Sequence, residues 1–217
     1  MYLKFMTVKI NYNTGSSKKN TPNLVLFVDE KYNILSLKKH VPKSEFVFIS
    51  DLIKTKDLKK KILVFDINSK KKIILVSLKK NLKSSEAENL GAKFHNLCKS
   101  FKISEYTLNS DTAPNHTINI VGYFLHGLKL KSYKFDKYKS KKNNKNINIF
   151  VHGKNKPTLK DQIRFKAIED GTFYSRDLVS EPGNILHPDE YANRLKGLKK
   201  YGLKVKIYDD KKLKKLG

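Results

Sequence analysis

The sequence predicts an α/β fold, and three observations predict it. Short continuous apolar runs occupy residues 24–28, 46–49, 62–67 and 73–76, each bounded by polar turns. Runs without polar alternation fit strands covered on both faces better than strands with one wet side. Stripes of apolar residues at spacings of three and four then interleave with further short runs, the pattern of helices laid over a sheet. Finally, a proline- and glycine-bearing elbow near residue 182 separates a long helix from a second helix-and-strand unit.

Taken in order, residues 13–20 and 68–72 are rich in Asn, Ser, Gly and Lys and read as turns, and residues 51–61 are too charged for a core element and read as a short helix or loop. Ser85 followed by Glu88 has the spacing of a capping box, in which each side chain bonds the other's backbone amide. The helix it opens would bury Ala87, Leu90, Phe94, Leu97, Cys98 and Phe101. A strand at 105–108 and a loop with Pro114 lead to a helix opened by Thr117, burying Ile118, Val121, Phe124, Leu125 and Leu128. After a lysine- and asparagine-rich loop comes a strand at 147–151, and the domain ends near residue 155. The connecting helix, within residues 156–182, carries Ile163, Ala167, Ile168 and Phe173 as its apolar positions, continued by residues 176–179. Residues 183–217 hold a helix with Tyr191, Leu195 and Leu198 inward, Gly202 as its stop, and an alternating strand at 203–209.

Composition narrows the class. A chain of 217 residues with a hydrophobic fraction of 39%, clustered rather than diffuse, is globular. No apolar run reaches membrane-span length, and lysines interrupt residues 1–9, so neither a membrane segment nor a secretory signal is expected. The single cysteine, Cys98, cannot form an internal disulfide, which favours a cytoplasmic setting. A net charge of +26 is what a nucleic-acid binder shows, yet of 46 basic residues only Arg164, Arg176 and Arg194 are arginine. Lysine lacks the bidentate fork that reads phosphate and base edges, and here it is spread along the chain beside abundant Asn and Ile. Compositional drift is therefore favoured over selected nucleic-acid binding, with weak nonspecific adsorption to polyanions expected either way.

The elbow reads Ser175-Arg176-Asp177-Leu178-Val179-Ser180-Glu181-Pro182-Gly183-Asn184-Ile185-Leu186-His187-Pro188. Pro182 ends one helix; Pro188 opens the next, with Asp189 and Glu190 in its first turn. This junction resembles that of the leucyl aminopeptidases (cytosol aminopeptidases) at Arg176, Asp177, Leu178, Pro182, Asn184 and Pro188. One departure is Ser180, where the family pattern has asparagine. A second match is Gly127-Leu128-Lys129-Leu130-Lys131-Ser132-Tyr133-Lys134-Phe135-Asp136-Lys137-Tyr138-Lys139, similar to the family's segment at Gly127, Tyr133, Phe135, Asp136, Tyr138 and Lys139. The resemblance is sharp from about residue 118 onward. It implies a macro-domain-like amino-terminal α/β domain over residues 1–155, the connecting helix, and at 183–217 the beginning of an α/β catalytic domain, truncated here. For the complete protein it implies removal of amino-terminal residues from peptides, two divalent metals (manganese or zinc) and a homo-hexamer. The family's metal ligands map to no position here, so the 217 residues alone are expected to be inactive.

No substitute centre emerges from the remaining residues. Asp209 and Asp210 are adjacent and read as a turn before a last short helix. The histidines, His40, His95, His116, His126, His152 and His187, lack ligand spacing and read as surface or half-buried. Cys98 lies on an apolar stripe and reads as a buried structural thiol. His152-Gly153 reads as a strand-end turn rather than an anion cradle. Lys137, Lys139, Lys141, Lys142 and Lys145 read as a solvated loop, and Tyr133, Phe135 and Tyr138 as anchors for it rather than a base-stacking platform. The alternative function is a stand-alone basic α/β module holding nucleic acid or a nucleotide-like ligand.

Overall fold

The computed structural model describes residues 8–12, 23–114, 119–140 and 146–217. The turn read at 13–20, Thr117, Ile118, His116 and the lysines 141, 142 and 145 lie outside them. Two units divide at Asp170 and Gly171.

The first unit is built on β1 (Val8–Asn11), β2 (Leu24–Asp29), β3 (Ile62–Asp66), β4 (Lys72–Leu78), β5 (Glu105–Asn109) and β6 (Ile147–His152). They form one sheet in the order β1-β6-β5-β2-β4-β3. All neighbours are parallel except the β3–β4 pair. Two-sided burial of the central strands follows the continuous apolar runs. Val25 and Phe27 of β2, with Ile74 and Val76 of β4, enter the core on one face. Leu26, Val28, Ile73 and Leu75 enter the core on the other.

The first core is roofed by α2 (Ser84–Ser100) and α3 (Ile120–Lys131). Their backbones nearly touch: a Cβ placed on Gly91 would lie 1.9 Å from the Phe124 carbonyl oxygen, and one on Gly127 2.0 Å from that of Glu88. The helices run parallel because α2 returns the chain from β4 to β5 and α3 from β5 to β6, strands that all point the same way. Phe124 then meets Phe27 edge-on at 5.4 Å and Phe94 at 5.6 Å, while Phe94 meets Tyr106 at 5.7 Å. Such pairs add about 0.5–1.5 kcal/mol each beyond their burial. Val121, Phe124, Leu125 and Leu128 are buried as the periodicity predicts, as are Ala87, Leu90, Phe94 and Cys98, but Leu97 is half-buried and Phe101 lies beyond the helix end.

Two expectations in this unit are corrected. Residues 46–49 form no strand; they lie in α1 (Lys43–Leu52), which follows Pro42. Ile49 is buried and Phe46 packs on the second core, whereas Val47 and Phe48 are 59% and 42% exposed, a helical rather than an extended pattern. The Ser85–Glu88 box is also displaced: α2 begins at Ser84, and it is Glu86 Oε2 that accepts from the Lys83 amide at 3.0 Å.

The connecting helix α4 (Leu159–Ser180) starts on Thr158, whose hydroxyl accepts from the Asp161 amide at 3.2 Å. Its buried positions are Phe165, Glu169 and Phe173. The expected stripe holds only at Phe173, for Ile163, Ile168 and Val179 are 63%, 43% and 87% exposed. Phe165 packs edge-on to Tyr123 at 5.2 Å and lies 5.0 Å from the His126 ring.

The second unit holds the remainder of α4, α5 (Pro188–Lys196), a 3-10 turn (Gly197–Tyr201) and α6 (Asp210–Leu216). Gly202, at φ 83°, takes the left-handed conformation that closes the turn. The strand expected at 203–209 is absent, because no strand among the described residues lies beside it to complete a ladder, although Val205 and Ile207 keep the alternation as half-buried positions. Asp209 caps α6, accepting from the Lys212 amide at 2.8 Å.

Two measurements check this packing. Gly91→Ala is expected to lower stability by about 1–3 kcal/mol through forced separation of α2 and α3, whereas Gly171→Ala, with open space around it, gains up to about 1 kcal/mol of helix propensity; urea melts compare them. None of the residues of α5, the 3-10 turn or α6 is buried, so hydrogen exchange across 184–217 is expected to outpace that of β2 and β4.

Candidate functional site

Three polar constellations carry the chemistry available to the described residues. The first is the elbow, wholly within the second unit. The chain leaves α4 at Ser180, and the Ile185 and Leu186 amides both bond the Pro182 carbonyl at 2.9 Å. Pro188 is the first residue of α5, with Asp189 and Glu190 in its first turn. Arg194 then reaches back: Nη1 donates to Glu181 Oε1 at 3.0 Å and Nε to Glu190 Oε1 at 2.8 Å, while the Tyr174 hydroxyl donates to the Arg194 carbonyl at 2.9 Å. These bonds from Glu190 and Glu181 raise the guanidinium above its ordinary value. Of the motif residues, Arg176, Pro182, Asn184 and Pro188 are exposed and Asp177 and Leu178 half-buried. The Arg194 clamp was not read from the sequence, though its i,i+4 spacing from Glu190 was a signal.

At the carboxyl edge of the sheet, Ser110 Oγ donates to the His152 carbonyl at 2.7 Å. Asp111 Oδ1 accepts from the Lys154 and Asn155 amides at 2.6 and 3.2 Å. Gly153, at φ 99°, has Ser110 and Asp111 where a side chain would go. The amides that could have received an anion are thus filled by an internal carboxylate, and the strand-end turn expected at His152-Gly153 is what forms. Asn109 Nδ2 lies 3.0 Å from His40 Nδ1.

The third lies under α3. His126 Nδ1 is 3.1 Å from Glu169 Oε1, its Nε2 is 4.0 Å from Glu88 Oε1, and the buried Lys129 ammonium donates to the Val8 carbonyl. Burial holds Lys129 below its ordinary value. His126 and His95 are 4% and 1% exposed, so they are core residues rather than the surface or half-buried ones expected. His95 Nδ1 has no hydrogen-bond partner, and burial, then Lys99, Lys131 and Lys134, lower its pKa to about 4. Burial also lowers His40 and His152.

Gly127 of the other motif sits at the α2–α3 crossing. Beyond α3, Tyr133, Phe135 and Asp136 are half-buried, and Tyr138 and Lys139 exposed. Phe135 and Tyr138 face edge-on at 5.8 Å, and the Lys139 amide bonds the Asp136 carbonyl at 3.2 Å. Lys137 lies over the Tyr138 ring. Cys98 is fully buried beside Tyr106, whose phenol burial pushes up.

Among the described residues, no helix is long and apolar enough to cross a membrane, and no three His, Cys, Asp or Glu side chains could hold a metal.

Comparison of the fold gives its class. The structure of a tomato leucine aminopeptidase mutant is similar over 96% of this chain and 45% of that one, with a TM-score of 0.73 and 16% identity. The bottromycin maturation enzyme BotP in complex with Mn is similar over 91% and 40%, with a TM-score of 0.64. These define an α/β fold of the kind found in leucine aminopeptidases.

The sequence gives the relationship more closely. A probable cytosol aminopeptidase of Brucella ovis is 39% identical over 99 residues, 42% of this chain. That of Phytoplasma mali is 38% identical over 108 residues, 46% of this chain. The chain is a homologue of the cytosol aminopeptidases over that stretch, as the two motifs imply. The matched stretch spans only about a fifth of those relatives, 20% and 22% of their lengths. No family model matches the chain.

The lowered His95 has a consequence for stability. Because the unfolded chain takes up the proton more readily, the neutral imidazole stabilises the fold fully above about pH 6.5 and loses that contribution as pH falls toward 4. The loss is expected to total roughly 2–3 kcal/mol. Urea melts of wild type and His95→Gln across that window check it: the variant's stability should fall less steeply with acid.

Proposed function

We propose that these residues form the amino-terminal α/β domain, the connecting helix and the start of the catalytic domain of a metal-dependent leucyl aminopeptidase. In this reading the complete protein removes amino-terminal residues from peptides in the cytoplasm, as a homo-hexamer. The observation that carries it is the 39% identity over 99 residues to a probable cytosol aminopeptidase. The elbow supports it: Pro182, Asn184 and Pro188 make a helix-to-helix junction that Arg194 ties from both sides. Its role is mechanical, fixing the direction in which the chain enters the segment that follows.

Two divalent cations, manganese or zinc, would acidify a bridging water and polarise the peptide carbonyl in the complete protein. The carboxylates here do not fit them. Asp209 is committed to a helix cap, Asp210 pairs with Lys214 at 3.0 Å, and Glu181 and Glu190 are held by Arg194. The catalytic ligands are therefore assigned to sequence outside these 217 residues, and the chain by itself is inactive.

Purified chain incubated with Mn2+ and leucine amide is expected to release no ammonia above a mock preparation; turnover would overturn the inactivity. The nucleotide sequence following the Gly217 codon tests the family reading, which expects an open frame encoding clustered Asp, Glu and Lys ligands.

A further inference from the structure

An outermost strand bonds on one side only, and β3 is outermost in the first unit's sheet. Its register with β4 runs unbroken from Ile62 opposite Val76 to Asp66 opposite Lys72. The Ser77 amide bonds the Lys61 carbonyl at 2.9 Å, and the Ile67 amide bonds the Lys71 carbonyl at 2.9 Å. Residues 61, 63, 65 and 67 therefore bond toward β4, and the amides and carbonyls of Ile62, Val64 and Asp66 point away from the sheet. No described residue bonds those outward groups. The Lys60 carbonyl, next in the outward set, already accepts from the Tyr32 hydroxyl. At the opposite edge the chain supplies partners of its own: the Lys129 ammonium bonds the Val8 carbonyl, and that of Lys156 bonds the Tyr12 carbonyl at 3.0 Å.

The side chains of β3 repeat the asymmetry. Leu63 and Phe65 are buried in the second core, whereas Ile62 and Val64 are half-buried at the margin of the first. One further strand would pair the open backbone and cover both. Sheets ordinarily blunt such an edge with proline, a bulge or charge. Here the charge stands at the ends: Lys59, Lys60 and Lys61 precede β3, and Lys70 lies in the turn that follows. Lys71 and Lys72 are held by Glu45 and Asp66, but none of these four pairs with a carboxylate among the described residues.

That placement selects the occupant. A second copy pairing antiparallel about Val64 would set Lys59, Lys60 and Lys61 of each chain against the Lys70 turn of the other. Parallel pairing would set the two lysine runs side by side. Either arrangement opposes like charges across the strand pair, which destabilises it. An acidic strand meets the same lysines favourably.

We propose that the outer edge of β3 receives an extended, acidic segment of another protein, which adds a strand to the six-stranded sheet. Its backbone bonds Ile62, Val64 and Asp66, its apolar side chains cover Ile62 and Val64, and its terminal carboxylates meet Lys59, Lys60, Lys61 and Lys70. The edge is independent of peptide hydrolysis.

The probe is a synthetic peptide of alternating Val and Thr with Asp-Glu at both ends, added to the full chain. At about ten times its Kd, exchange of the Ile62, Val64 and Asp66 amides, followed by NMR, is expected to slow about tenfold. A peptide of equal charge with proline at alternate positions should leave them unchanged, because it cannot complete the ladder. Val64→Pro removes one outward donor while sparing the bonds to β4, and should weaken the peptide about tenfold. The variant K59Q/K60Q/K61Q, which changes only side chains outside β3, should weaken it and flatten its salt dependence. No slowing at the three amides, equal slowing with the proline peptide, or unchanged affinity in the triple lysine variant overturns the proposal. So does slowing that appears without peptide as the chain is concentrated, which assigns the edge to a second copy. Equal slowing with a single-stranded oligonucleotide also overturns it, as polyanion adsorption only.

Discussion

Two helix backbones can approach to contact only where neither carries a side chain at the crossing. Gly91 and Gly127 meet that requirement on α2 and α3, with neighbouring carbonyl oxygens about 2 Å from where their Cβ atoms would lie. Much of the first unit follows from this contact. Close approach lets Phe94 and Phe124 reach one another and, below them, Phe27 and Tyr106 of the sheet. It fixes α2 and α3 as a single roof, against whose α3 side Tyr123 and His126 receive Phe165 of the connecting helix. Gly127 opens a segment whose sequence resembles one of the leucyl aminopeptidases, and a packing requirement of this kind is reason enough for a glycine there.

What was legible in the sequence is what burial alone determines. The runs at 24–28 and 73–76 are apolar at every position because both faces of β2 and β4 are covered, and their assignment needed nothing from elsewhere in the chain. A run of four, at 46–49, carries no such information. Helix and strand are equally consistent with it, and Pro42 with Glu45 in the following turn was the better guide. The connecting helix misled for a different reason. Its buried face includes Glu169, which is admitted because His126 on α3 meets it, while Ile163 and Ile168 lie outside. A polar residue buried by pairing across 43 positions leaves no trace in a local pattern. The strand expected at 203–209 had the correct alternation but no ladder partner, and alternation specifies a face rather than a sheet.

The polar constellations divide along the same line. The elbow is local, so its prolines, its turn and the acidic first turn of α5 could all be read directly. Asp111 could not, because its amide partners at Lys154 and Asn155 come from beyond β6.

Arg194 shows where lysine would not serve in a chain that otherwise favours it. With only three arginines among 46 basic residues, arginine is scarce here, and one of the three joins both sides of the elbow. Its planar fork engages Glu181, just past α4, through one nitrogen and Glu190, in the first turn of α5, through another. An ammonium could neutralise either carboxylate, but its single nitrogen on a flexible stem would hold neither at a set angle. The Tyr174 hydroxyl on the Arg194 carbonyl adds a third tie from α4 itself. The elbow's rigidity thus rests on directional bonds rather than on buried area, of which α5 has little. A junction held that way fixes direction through a few bonds at set angles.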